Sequence, residues 1–246
     1  MEDKLKVSII TVSKNSQATI RETIESVLNQ TYENIEYWII DGLSCDSTVQ
    51  IAQEYITKFA DKGMEYHIVS EADLGIYDAM NKGIKRATGE IIGIINSDDW
   101  YELQAVECAV KNYMKCQYDL FYADVRIIGD ENSFVKKSKD SKIITSRYWN
   151  HPTTFIPRHI YKKILYRNES IHDDWDLILR IRKTQCKVCI VNEVLANFRR
   201  NGISHEKGIK KAWNRVKMKY SIYRQNGYSR WYFIECFGVE LAKMIL

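Results

Sequence analysis

The 246 residues carry 36 Lys and Arg against 32 Asp and Glu, a formal charge of +4, too mild by itself to argue for nucleic acid as a partner. A hydrophobic share of 45% and a charged share of 28% fit a globular chain with room for one large domain and a sizeable core. No apolar run reaches the roughly 20 residues of a spanning helix, and no amino-terminal signal segment is evident, so reduced thiols and a cytoplasmic location are expected. Cys186 and Cys189 form a CxxC pair. It has no second Cys or His pair nearby, which disfavours zinc or redox use.

In chain order, Lys6–Val12 (KVSIITV) reads as a strand, followed by a polar turn at Ser13–Ser16. A helix from about Gln17 to Asn29 then aligns Ile20, Ile24, Val27 and Leu28 on one face. Ile35–Ile40 is a second strand, ending at Asp41. Asp46 or Ser47 can cap the next helix, whose apolar face is Val49, Ile51, Ala52, Tyr55, Ile56 and Phe59. Tyr66–Ser70 is a third strand, and Ile76–Ala87 a helix with Ile76, Ala79, Met80, Gly83, Ile84 and Ala87 at helical spacing. The isoleucine-rich run Gly89–Ile95 is the fourth strand. Four alternations of strand and helix predict a parallel sheet covered by helices.

That fourth strand runs into Asn96-Ser97-Asp98-Asp99. Ligands of open α/β sheets bind outside the carboxyl ends of the strands, so Asp98 and Asp99 face a candidate site. Two neighbouring carboxylates suit a hard divalent cation, Mg2+ or Mn2+. Taken alone, they suit a helix cap equally well. The phosphate-cradling patterns GxGxxG and GxxxxGK[ST] are absent, so the dinucleotide and P-loop readings lose their main support. A metal would then be needed to neutralise phosphates.

Beyond Tyr101 the pattern changes. Leu103–Lys115 reads as a helix and Asp119–Ile128 as a strand. Residues 131–146 are polar and lysine-rich, as in an exposed hairpin or loop. His151–Pro157 holds both prolines, which suggests an edge strand or shaped loop. His172-Asp173-Asp174-Trp175-Asp176 opens an amphipathic helix whose acids suit the macrodipole. Cys186–Phe198 is strand-like. From Lys207 the chain reads as helices rich in Lys, Arg, Tyr and Trp. That tail fits a helix on an anionic membrane surface, and equally one packed on the domain or on a dimer partner.

Six segments in this order resemble the family 2 glycosyltransferases, an inverting class that uses nucleotide sugars; the resemblance covers roughly residues 5–205. Val7–Val12 resembles the family's first strand and Ser26–Thr31 its S-V-L-x-Q-T segment. Asp41–Thr48 is similar to its D-G-x-S-x-D-x-T loop. Asp73–Gly83 is similar to the D-x-G-I-Y-D-A-M-N-K-G signature of one bacterial branch. Asn96–Asp99 stands at its D-x-D-D metal motif and Asp173–Leu177 at its E-D-x-D-L segment. The resemblance implies a GT-A (Rossmann-like) α/β fold: one domain, a mostly parallel central sheet with helices on both faces, and a C-terminal helical extension. Residues 1–101 would form the nucleotide-sugar half, 102–205 the acceptor half, and 206–246 the basic, aromatic helices.

The resemblance also implies roles. Asp41 would accept from the base, usually uracil. Asp98 would lie at the ribose and metal, with Asp99 the more direct metal ligand. Asp73, Asn81 and Lys82 would line the donor pocket, Asp174 would be the catalytic base, and Asp173 and His151 would lie on the acceptor side. The implied enzyme is a metal-dependent hexosyl- or N-acetylhexosaminyl-transferase, using Mn2+ or Mg2+. It would act on a glycan or lipid-linked acceptor of a surface polysaccharide such as O-antigen or capsule. Three departures stand out: Asn96 replaces the first acid of the metal motif, Lys14 replaces a frequent tyrosine, and Asp173 replaces the usual glutamate. The position of a metal-contacting histidine in many relatives falls at Asn201, with His205 nearby. A nucleotidyltransferase would need a Gly-rich, basic phosphate loop that Ser13–Ser16 lacks. A non-catalytic sugar-nucleotide module would not need Asp174.

Overall fold

Strands buried on both faces read as near-continuous apolar runs. That pattern holds for β1 (Val7–Ser13), β2 (Ile35–Asp41) and, beyond the more exposed β3 (Glu65–Ser70), for β4 (Ile91–Ile94). A computed structural model describes residues 5–129, 132–200 and 209–245. Between these strands lie α1 (Ile20–Leu28), α2 (Thr48–Gln53), α3 (Ile56–Asp61) and α4 (Ile76–Arg86). The single helix expected after Asp46 is thus two. The break at Glu54–Tyr55 keeps Tyr55 and Phe59 buried but turns Ile56 out to solvent.

The second half supplies β5 (Trp100–Tyr101), α5 (Ala105–Cys116), β6 (Leu120–Ile128), β7 (Ser133–Lys136) and β8 (Phe155–Pro157). They are followed by α6 (Arg158–Tyr161), α7 (Asp173–Arg182), β9 (Val188–Arg199), α8 (Ile209–Gln225) and α9 (Tyr232–Ile245). The sheet order is β3-β2-β1-β4-β8-β6-β9-β5, with β7 on β6. Strands β1 to β4 are mutually parallel, β8 runs antiparallel to β4 and β6, and β6 and β9 are parallel.

The segment around both prolines is therefore not an edge strand. It enters the middle of the sheet, because neither proline nitrogen is required in mid-ladder. Pro152 sits in a 3-10 turn at His151–Thr153, and Pro157 is the last residue of β8. The next amide, Arg158 N, donates to Glu90 O at 2.8 Å. Gly93 makes the β4–β8 pairing possible. A Cβ there would lie 2.6 Å from the Phe155 ring, closer than packed carbons tolerate.

Alternation along the strands divides the core. Ile9, Ile39 and Ile91 face one layer with Ile20 and Ile24 of α1, Phe59 of α3 and Val106 of α5. Ile10, Ile40 and Ile92 face the other, with Met80 of α4, Leu177 and Ile178 of α7, and Val216 and Ile222 of α8. The C-terminal helices thus pack on the domain. Asn226 Nδ2 donates to Asp176 Oδ1 at 2.6 Å, and Tyr228 Oη donates to Leu179 O at 3.1 Å. Among the described residues no helix is long and apolar enough to cross a membrane.

Candidate active site

Three strand ends build one rim. β1 lies between β2 and β4; Ser13 is in register with Asp41, and Ile95 N donates to Ile10 O at 3.0 Å. With neighbouring strands about 4.8 Å apart, the ends of β2 and β4 are separated by roughly 10 Å. Ser16 Oγ lies 2.8 Å from Ser97 Oγ and joins the loops after β1 and β4.

Asp41 is fully buried. Its Oδ1 accepts from the hydroxyls of Ser13 at 3.1 Å and Ser44 at 2.5 Å. Its Oδ2 accepts from Ser44 N at 2.9 Å and Ser70 Oγ at 2.7 Å. Four donors saturate a carboxylate, so here Asp41 fixes the 42–48 loop. Over the next residue lies Asp73: a Cβ on Gly42 would fall 2.2 Å from Asp73 Oδ2 and 3.5 Å from the Lys14 stem.

The signature around α4 holds itself together. Asp78 accepts from Leu74 N at 3.1 Å and pairs with Lys82 Nζ at 3.1 Å, while Lys82 Nζ also donates to Ala72 O at 2.5 Å. Asn81 exchanges two hydrogen bonds with the backbone of Tyr166, at 2.9 and 3.1 Å. Both residues expected at the donor are thus engaged with the chain, fastening the 72–75 loop and the approach to α7.

Asp98 is partly exposed and Asp99 fully buried. Burial pushes Asp98 above the usual carboxylate range; burial first, then the charge of Asp98, pushes Asp99 well above it. Asp99 Oδ1 accepts from Arg199 N at 3.1 Å, and its carbonyl accepts from Thr23 Oγ1 at 2.7 Å. Asp99 Oδ2 and Asn96 Oδ1 are buried with no hydrogen-bond partner. Two orphaned oxygens next in sequence to a partly exposed carboxylate are hard donors of the kind that Mg2+ or Mn2+ prefers. The residues fit such an ion.

At the first turn of α7 the three acids diverge. Asp173 is buried and accepts from Glu169 N at 2.6 Å, Ser170 N at 3.0 Å and Ser170 Oγ at 2.7 Å. Asp176 is buried between Arg180 at 2.7 Å and Arg167 at 3.4 Å. Both acids are thus held by partners of their own. Asp174 keeps partial exposure; one oxygen accepts from Trp175 N at 2.7 Å. It lines a small cavity with Ile94, Trp149, His151 and Tyr166. Ile94 closes β4, so Asp174 lies beside the strand that leads to Asp98. Burial pushes His151 below the usual histidine range, with Asp174 pulling it partly back. Tyr77 donates to Ile171 O at 3.0 Å and its ring stacks on Tyr166 at 5.3 Å.

Sequence reasoning passed over Tyr77, Tyr166 and Arg199. Tyr77 lies inside the quoted signature and could have been read from it; Arg199 has no local signal, being a hundred residues from its partner. Asn201 and His205 lie outside the described residues. The cysteine expectation meets raised thiols: burial lifts Cys186 above its ordinary value and Cys189 to about 11, opposite to what redox or zinc thiolates need.

Residues 8–175 match the glycosyl transferase family 2, and the chain belongs to that family. EpsH of Bacillus subtilis is 38% identical over 96 residues, 39% of this chain and 27% of that protein. The Escherichia coli UDP-Glc:alpha-D-GlcNAc-diphosphoundecaprenol beta-1,3-glucosyltransferase WfgD is 34% identical over 137 residues, 56% of this chain and 51% of that one. The chain thus aligns with about half or less of the length of these two relatives. Among solved structures, S. aureus TarS 1–349 in complex with UDP-GlcNAc superimposes with a TM-score of 0.72 at 16% identity, over 97% of this chain and 72% of that one. That likeness establishes the GT-A-like fold.

Proposed function

We propose that the protein moves a sugar from a UDP-sugar to a hydroxyl of a glycan or lipid-linked glycan, with inversion, on the cytoplasmic side of surface polysaccharide assembly. The observation that carries this is the cavity shared by Ile94, His151 and Asp174, which sets a partly exposed carboxylate beside the strand leading to Asp98. The names of WfgD and TarS supply the UDP and the class of acceptor.

Inversion needs one base to take the acceptor's proton as its oxygen attacks the anomeric carbon. Asp174 is that base; no covalent nucleophile is required. Asp173 and His151 border the acceptor's approach, Asp173 by shaping the 169–170 turn and His151 as a neutral ring against the same cavity. Asp41 and Asp73 form the floor and wall of the nucleobase pocket. A base N–H reaches Asp41 by displacing one of the serine hydroxyls, each of which can rotate to a new partner. Asn81 and Lys82 act on the donor indirectly, by fixing the 72–75 loop. A divalent ion would be held by Asp98, assisted by Asn96 Oδ1 and Asp99 Oδ2, and supplies charge neutralisation for the departing diphosphate. On this reading Asp98, the more accessible of the pair, takes the larger share of the ion in place of Asp99. Residues 1–101 serve the donor and 102–205 the acceptor.

A panel of nucleotide sugars assayed with Mn2+ or Mg2+ tests the proposal. Asp174→Asn is expected to lower transfer by roughly 10²–10⁴-fold, the usual contribution of a general base, with donor affinity retained. Wild-type transfer by that variant would sink the assignment.

A further inference from the structure

Among the described residues, none packs over the outer face of the C-terminal hairpin. Among the described side chains of α9 the buried positions are Cys236 and Glu240, and every exposed position from 233 to 241 is apolar: Phe233, Ile234, Phe237, Gly238 and Leu241. Ile234 is 60%, Phe237 44% and Leu241 45% exposed, and Trp231, just ahead of the helix, is 76% exposed. The stripe continues onto α8. The Trp213 and Phe233 rings are 6.1 Å apart edge to face, and Phe233 and Phe237 stack at 6.5 Å. Exposed aromatic and aliphatic side chains in one contiguous row mark a surface built to be covered.

The charges around the row are sorted by sign. Residues 207–246 hold nine Lys or Arg against two acids, Glu235 and Glu240. Both acids are turned to the protein: Glu240 is 3% exposed and paired with Arg215 at 2.8 Å, and Glu235 accepts from Thr145. Lys210, Lys211, Lys217, Arg224 and Arg230 are exposed, and Lys217 Nζ lies 5.7 Å from the Trp213 ring centre. Among the described residues of the hairpin, the exposed positions thus include apolar groups and cations but no acid.

We infer that this face docks on a lipid bilayer bearing anionic headgroups, with Trp231, Ile234, Phe237 and Leu241 entering the interface and the lysines and arginines meeting the headgroups. Amphipathic helices with such a composition lie in the interfacial plane and add electrostatic attraction to apolar burial. A second copy of the chain is the poorer occupant, because a two-fold contact sets like surface against like, and here that brings cation against cation. The inner side of α8 packs on α7 through Tyr223 against Trp175 and Ile178, and α9 packs in turn on α8, Tyr232 stacking on Tyr223. Docking would thus hold the helix that carries Asp174 near the bilayer surface. For its meaning in catalysis, though not for the docking itself, the inference rests on the glycosyltransferase reading.

Flotation of the full chain with vesicles tests it. The protein is expected to float with phosphatidylcholine vesicles containing phosphatidylglycerol and not with phosphatidylcholine alone, and to release as salt rises. Ile234→Ser with Phe237→Ser, and separately Lys210→Glu with Arg230→Glu, should each cut the bound fraction about tenfold or more. Both double variants should keep the wild-type rate of donor hydrolysis in solution. The inference is overturned if the protein does not float with anionic vesicles. It is equally overturned if it is a dimer by light scattering that Ile234→Ser with Phe237→Ser converts to monomer while flotation persists. Flotation without turnover of any nucleotide sugar would leave the docking standing and remove the catalytic reading instead.

Discussion

At the scale of single residues, the acids of the site differ by what already bonds them. Asp41, Asp173 and Asp176 are buried and committed to hydroxyls, amides or arginines, whereas Asp98 and Asp174 keep partial exposure. This distinction yields opposite expectations for Asp98 and Asp99. Asp98→Ala should abolish the Mn2+ dependence of donor binding measured by calorimetry. Asp99→Ala should act mainly on stability, costing about 1–3 kcal/mol in denaturant unfolding, because it leaves the Arg199 amide without an acceptor. Loss of metal-dependent binding in Asp99→Ala with unchanged stability would restore Asp99 as the principal ligand. His151 gives a pH signature. Burial depresses its pKa in the folded protein, so between the folded and unfolded values the unfolded chain binds more protons, and stability falls as pH drops below about 6.5. In thermal melts from pH 7.5 to 5.5, His151→Gln should lose part of the wild-type decline; an identical decline would show that His151 contributes none of it.

At the scale of elements, the strands of the first half and the position of the acidic strand end were legible because isoleucine runs between turn residues have few other readings. The segment His151–Pro157 was not. Proline is a reliable warning against a central strand only when its nitrogen falls in mid-ladder, and Pro157 escapes by standing last. The break between α2 and α3 was also hidden, since the residues from Val49 to Phe59 keep an apolar spacing that one continuous helix would satisfy. Within the candidate site, the sequence singled out Asp98, Asp99 and Asp174 but could not tell which neighbouring acids are already bonded; for Asp41 and Asp99 that depends on Ser13, Ser70 and Arg199, which reach their partners through tertiary structure. The β4–β8 contact carries its own prediction. Gly93→Ala places a methyl group 2.6 Å from Phe155 and 3.0 Å from Tyr101 Oη, and overpacking of this kind costs about 1–3 kcal/mol. Urea unfolding should show the loss, and Phe155→Leu in the same chain should return part of it; no recovery would place the strain elsewhere.

At the scale of the whole molecule, composition gave the class of protein and the six ordered segments gave the family, while the arrangement of the second half came only from the fold. Nothing local announces that β8 will insert between β4 and β6, or that β5 will pair with the far end of β9. The tail shows the same limit. Its basic and aromatic residues were plain in the sequence, but which faced the domain and which faced outward was decided by packing against α7.

The pairing of β5 with β9 bears on how the chain comes into being. Trp100 pairs with Asn197, and the Asp99 carboxylate is gripped by the amide of Arg199. Contacts of such long sequence separation form late and slow the folding of a domain, and a chain emerges from the ribosome amino terminus first. The parallel strands β1 to β4 can assemble early, yet β4 has no neighbour on its outer edge until β8 is made. The loop holding Asp98 is clasped only once β9 is complete. A nascent chain stalled before residue 199 therefore carries a nearly complete sheet with an unfinished rim.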